Sequence, residues 1–238
     1  MELRPGILRG QSNTGWLDSR HSFSFAGYYD PARMGLSDLR VLNDDRVAGG
    51  GGFPPHVHHD MEILTYVLEG QLVHRDSTGR QSLLEPGDLQ VMSAGTGIEH
   101  SEMNASAEHR LRFLQIWILP EHMHLPPAHA CLRPDADPLR QSFQPVAGPA
   151  GAGFALTLHQ QASLYLAWPD AAAVMPLPRD PARPLRYLHV AEGSVCVAGQ
   201  RLMSGDAAIL AAEEEATLIA DVASQVLLFG LRSTDPMP

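Results

Sequence analysis

The 238-residue chain allows one large domain or two small ones, and no stretch approaches the roughly 18–20 apolar residues needed to span a bilayer. All 17 basic residues are arginine, which excludes lysine Schiff-base chemistry and a P-loop lysine. Against 27 acids the net charge is -10, so neither nucleic acid nor membrane is expected as a direct partner, and the first six residues, Met1 to Gly6, lack the basic-then-apolar order of a secretion signal, which points to the cytoplasm.

Short apolar runs separated by glycine and proline predict an all-β chain of antiparallel sandwiches or barrels. The strands expected first are Glu62–Leu68, Gln71–Arg75, Asp88–Met92 and Arg112–Leu119. After them come Phe154–Gln160, Leu164–Trp168, Leu185–Val190, Ser194–Val197, Ala207–Leu210, Ala216–Ala220 and Gln225–Leu231. Between Pro120 and Gly153 proline and glycine dominate, which reads as a linker and divides the chain into residues 1–140 and 141–238. Leu68-Glu-Gly70 with Pro86-Gly-Asp88 is echoed by Ala191-Glu-Gly193 with Ser204-Gly-Asp206, so each half is expected to fold as the same kind of barrel. Two cysteines, Cys131 and Cys196, are too few for a disulfide framework and are expected to be reduced and buried.

The chemistry concentrates in the first half. His56 and His58 are two apart, so on a strand both imidazoles project to one face while Val57 turns away. His100 and Glu102 repeat the spacing with an imidazole and a carboxylate. Three imidazoles and a carboxylate from neighbouring strands suit a first-row divalent metal, with positions left open for substrate. His122, His124 and His129 lie in the proline-rich stretch with no strand to fix them, so they are read as surface loop. Gln115 and Trp117 alternate on a strand near the ligands and are candidates for the substrate pocket or the core. The run Glu213-Glu-Glu215 reads as a solvated turn.

Gly50, His56-x-His58 and Glu62 resemble the first cupin motif, and Gly87 through His100 to Asn104 resembles the second, with Ser93 where proline is common. The run His21-Ser-Phe-Ser-Phe-Ala-Gly-Tyr-Tyr-Asp-Pro31, then Gly52-Phe-Pro-Pro-His56, His74-Arg-Asp-Ser77, Ala94-Gly-x-Gly-Ile-x-His100-Ser-Glu102 and Leu114-Gln-Ile-Trp117, narrow the resemblance to the pirin family. That resemblance implies a bicupin of two antiparallel jelly-roll barrels packed face to face, a metal-binding one in 1–140 and a degenerate one without metal in 141–238. It implies that His56, His58, His100 and Glu102 hold one divalent metal, iron(II) first, with Mn, Co, Ni, Cu or Zn also suited to the ligand set. The activity it implies is cleavage of quercetin or a related flavonol by dioxygen. A rival reading is an iron- or redox-sensing regulator that binds a protein partner; in either case the chain is expected to be a monomer. Many cupins use the glutamate at Glu62 as fourth ligand, whereas the pirin resemblance moves that role to Glu102. Glu62 is left as a group behind the ligands or a general base, beside Glu102 as the other catalytic carboxylate.

For the second half, the offsets that place His56 and His58 before Gly70 fall on Arg179 and Pro181 before Gly193. Those that place His100 and Glu102 after Gly87 reach Leu218 and Ala220. None is a metal ligand, so this barrel is expected to be filled by Val, Leu and Ile.

Overall fold

The structure, a computed structural model, describes residues 1–211 and 214–233, so Glu213 of the acidic run lies outside it. Its packing divides the chain into two units. The change falls between Arg133 and Pro134 rather than at 140/141, and Met1–Leu8 and Leu158–Gln160 each pack with the unit remote from them in sequence. Among the described residues no helix is long and apolar enough to cross a membrane.

The first strand, β1 (Glu2–Arg4), belongs to the second unit. The first unit holds β2 (Gly10–Asn13), β3 (Leu17–His21), β4 (Leu39–Val47), β5 (Gly52–His58), β6 (Glu62–Glu69) and β7 (Leu72–Asp76). It continues with β8 (Gln81–Leu84), β9 (Leu89–Ser93), β10 (Ile98–Asn104), β11 (Leu111–Ile118) and β12 (Ala128–Leu132). These form two sheets, in the orders β12-β9-β6-β11-β4-β3-β2 and β5-β10-β7-β8, with all neighbours antiparallel.

Strand alternation builds the interior of this unit. Phe113, Gln115 and Trp117 of β11 lie opposite Val67, Thr65 and Ile63 of β6. Val47, Val67, Leu72, Leu84, Leu111 and Phe113 close one end of the interior, while Ile63, Met92, Ala94 and Ile98 form a second cluster towards the other. Burying each such side chain contributes about 1.5–3 kcal/mol. Between the two clusters Asn43, Gln115, Thr65 and Gln90 stand in register across four strands and are all buried. A buried polar row of this kind is stable only when its groups are hydrogen-bonded; Thr65 and Gln115 bond Glu102 and Gln90 bonds His74 on the opposite sheet, while Asn43 bonds His21 of β3 in its own.

The second unit adds α1 (Ala136–Gln141), β13 (Gln144–Gly148), β14 (Leu156–Thr157), β15 (Ser163–Ala167), β16 (Val174–Pro176) and β17 (Leu185–Glu192). It ends with β18 (Ser194–Val197), β19 (Gln200–Met203), β20 (Ala207–Leu210), β21 (Thr217–Ala220) and β22 (Gln225–Leu231). Its sheets run β1-β20-β17-β22-β15-β13-β14 and β16-β21-β18-β19 around an apolar core that includes Leu188, Val190, Val195, Leu202, Leu218 and Leu228. Sequence repetition here is structural repetition. The Gly87 and Gly205 amides donate to the Val67 and Val190 carbonyls at 2.9 and 2.7 Å. The Asp88 and Asp206 carboxylates accept the Glu85 and Met203 amides at 2.9 and 2.8 Å. Both glycines sit at φ 91°, a conformation that other residues rarely adopt.

Several expectations are corrected. The Pro120–Gly153 stretch is not a plain linker, since it carries the edge strand β12, the short helix α1 and β13, which pairs between β15 and β14; proline spacing hid these short elements. The expected strand Phe154–Gln160 shrinks to β14, and Leu158–Gln160 packs with the first unit. Both cysteines are free, but Cys131 is exposed on the edge strand β12 and Cys196 is half-buried, so neither is a core residue.

Candidate metal centre

His56 and His58 lie on β5 and His100 on β10, with His56 directly opposite His100. Between this pair and the next, Glu102 opposite Phe53, the register shifts because β5 carries the extra residue of a bulge. The bulge contains Pro54 and Pro55, which have no amide hydrogen to give to the ladder. Its carbonyl has a use: His56 Nδ1 donates to Pro54 O at 2.8 Å, which leaves Nε2 as the bare acceptor.

One nitrogen from each of His56, His58 and His100 lies within 4.8 Å of the others. His56 Nε2 is 3.1 Å from His100 Nε2, and the three ring centroids are 4.4–4.9 Å apart. Burial, followed by the nearness of the other imidazoles, holds His58 down to about 4 and His100 lower still, so both rings are neutral at neutral pH. His100 Nδ1 is buried with no hydrogen-bond partner. Converging lone pairs with so few donors to satisfy them fit a cation, so the residues pass the test for a divalent metal.

Glu102 sits beside this trio rather than inside it. Its carboxylate groups with His100 and His74 of β7, again within 4.8 Å. Thr65 Oγ1 donates to Glu102 Oε1 at 2.8 Å and Gln115 Nε2 donates to Oε2 at 2.5 Å, so the polar row of the facing sheet holds both oxygens. Burial raises its pKa, partly offset by Thr65 and the nearby imidazoles. His58 packs its ring edge-on to Trp117 at 5.0 Å, and Trp117 packs in the same way on Phe25 at 5.4 Å.

Glu62 is corrected. It precedes Thr65 by three residues, so alternation sends it to the opposite face of β6. There its Oε2 accepts Ser93 Oγ at 2.9 Å and the His159 amide at 3.2 Å and lies 3.5 Å from His159 Nδ1, on the face opposite to Thr65. His59 is exposed and bonded to the Thr96 carbonyl at 3.1 Å.

A second buried acid adjoins the polar row. Asp45 of β4 accepts a hydrogen bond from Ser19, and burial, reinforced by the charges of Glu102 and Asp44, pushes its pKa from 3.8 to about 7. An acid whose pKa rises on folding favours the folded state below its unfolded value, and that benefit is lost as pH climbs from 3.8 through about 7. Ionising Asp45 therefore opposes folding by roughly 4 kcal/mol at most at alkaline pH. Asp45→Asn keeps the acceptor for Ser19, so urea unfolding is expected to show it a few kcal/mol more stable than wild type at pH 8. Near pH 4 the two should be almost equal, and a difference independent of pH would disprove the assignment.

Residues 6–118 match the Pirin family, and residues 145–231 match the family described as the quercetinase C-terminal cupin domain. A quercetin 2,3-dioxygenase of Escherichia coli K12 is 43% identical over 229 residues, covering 96% of this chain and 97% of that protein. The chain belongs to the pirin family. The crystal structure of the bacterial pirin YhhW from E. coli in complex with nickel(II) superposes with a TM-score of 0.90 at 41% identity, over 98% of this chain and 99% of that one. A quercetin 2,3-dioxygenase from Acinetobacter baumannii, 23% identical with a TM-score of 0.78 over 100% of this chain and 88% of that one, shares the fold.

In this pirin chain, sequence reasoning missed Thr65, His74 and Phe25 as neighbours of the site. Thr65 was legible as the one polar residue on the inward face of β6, between Ile63 and Val67. His74 is opposite Glu102 in the β7–β10 pair, a register the sequence does not display. Gln115 does face inward, but it holds Glu102. The conspicuous His21 is a structural residue, buried between Ser12 Oγ and Asn43 Oδ1, each 2.8 Å from a ring nitrogen.

Proposed function

We propose that this pirin-family chain is a metal-dependent quercetin 2,3-dioxygenase, cleaving quercetin or a related flavonol with dioxygen. The observation that carries the proposal is the trio of imidazoles converging beside a buried carboxylate. The full-length likeness to an E. coli quercetin 2,3-dioxygenase supports the reaction class. His56, His58 and His100, with Glu102 completing the set, would hold a first-row divalent ion, iron(II) in this reading; the nickel(II) complex of the E. coli relative fits a nitrogen and oxygen set that accepts several metals. When bound, the metal supplies a Lewis acid that lowers the pKa of the substrate hydroxyl.

The remaining work falls to the side chains. Glu102 receives the proton of the flavonol hydroxyl, and its burial makes it a stronger base than an exposed glutamate. Thr65 and Gln115 hold its two oxygens in fixed positions. Trp117 and Phe25 give the planar substrate an aromatic surface beside His58 and keep water from it. Glu62, on the other face of β6, takes no part.

The test uses protein loaded separately with iron(II), manganese, cobalt, nickel, copper or zinc. Quercetin should be consumed with one equivalent of dioxygen and release of carbon monoxide, at about 1 turnover per second or faster with the best metal. No oxygen uptake with any of them would sink the proposal.

A further inference from the structure

β8 and β12 are edge strands of the two sheets of the first unit, and polar side chains join them. His129 and Cys131 project from β12 towards Ser82 of β8: His129 Nε2 and Cys131 Sγ are 3.4 and 3.6 Å from Ser82 Oγ, and 3.8 Å from each other. Behind them lies His74, fully buried, its ring stacked on His129 at 4.9 Å with 26° between the planes. Gln90 touches both rings, with Oε1 2.8 Å from His129 Nε2 and its amide nitrogen 3.2 Å from His74 Nδ1. His74 Nε2 is 3.3 Å from Asp76 Oδ2.

Asp76 is set up asymmetrically. Its Oδ1 accepts from Thr78 N at 2.8 Å, Thr78 Oγ1 at 2.5 Å and Arg80 N at 3.3 Å, so the turn after β7 uses that oxygen. The other oxygen is presented to the histidines. One ligand atom from each of His74, Asp76 and His129 lies within 4.8 Å of the others, a group distinct from His56, His58 and His100. Strands fix all three: His74 and Asp76 are two apart on β7, and β12 is paired with β9 through five residues.

We infer that His74, Asp76 and His129 form a second divalent-metal site at this edge. Two imidazoles and a carboxylate suit first-row divalent ions, zinc among them. In the metal-free chain Gln90 holds both rings, its carbonyl accepting from His129 Nε2 and its amide donating to His74 Nδ1, and binding of the ion displaces the proton that His74 Nε2 gives to Asp76. Bound there, the ion ties β12 of one sheet to β7 of the other. This site stands independently of the proposed dioxygenase activity.

The experiment titrates metal-stripped, full-length protein with zinc chloride by calorimetry. Wild type is expected to bind two equivalents. His56→Ala should remove the first and leave the second. Asp76→Asn, which keeps an oxygen for the turn, and His129→Gln should each weaken the second at least tenfold while the first equivalent remains. Zinc should also raise the Tm of His56→Ala, and this rise should vanish when His129→Gln is added. One equivalent in wild type, or a second equivalent unaffected by both variants, would overturn the inference. If Asp76→Asn fails to fold, by circular dichroism, His129→Gln on the edge strand decides alone.

Discussion

His100→Ala is expected to lose the metal of the catalytic site almost completely. His100 contributes to both groups of converging ligands around that site, with His56 and His58 on one side and His74 and Glu102 on the other. Its removal leaves two imidazoles on β5 without the ring that faces them across the β5–β10 pair. Mutating groups that merely support a ligand typically costs 10–100-fold in metal affinity, so losing the ligand itself should cost more than about 100-fold. His56→Ala should behave alike, because its Nε2 lies 3.1 Å from His100 Nε2. The measurement is metal content by mass spectrometry after dialysis against a weak chelator, with circular dichroism to establish that the barrel is intact. Full metal occupancy in both variants would remove the trio from the site.

The second large effect is on turnover. Glu102→Ala should lower the rate of quercetin cleavage by about 10²-fold or more, the range that a positioned general base contributes. Its metal content separates two contributions: metal lost with activity marks Glu102 chiefly as ligand, and metal kept without activity marks it chiefly as base. Thr65→Val is a milder companion. It removes the hydroxyl that donates to Oε1 at 2.8 Å, and it should reduce turnover several-fold with the metal retained. An unchanged rate in Glu102→Ala would exclude the residue from the mechanism.

Much of the site was legible because strand periodicity is a local property. His-x-His and His-x-Glu need no tertiary information to place two side chains on one face. Glu62 was read from its motif position as a group behind the ligands or a general base, and parity with Thr65 places it on the other face of β6. His74 and Gln90 reach the imidazole cluster through register between strands distant in sequence. His129 was set aside because prolines flank it, and only the pairing of β12 with β9 shows that its backbone is fixed. In the second unit the turn offset for His56 led to Arg179, but the residue opposite Leu218, the counterpart of His100, is Met175, so the slip is four residues and still ends on an apolar side chain.

That duplicated turn chemistry has a further meaning. Gly87 with Asp88 and Gly205 with Asp206 make the same bonds in both units, although in the second the strand pair β16–β21 buries Met175 and Leu218 in hydrocarbon. The residues that make the turn are thus separate from those that line the strand pair. The second unit keeps the turn with Met175 and Leu218 where the first has His56 and His100, and so identifies positions at which side chains can be exchanged without rewriting the scaffold.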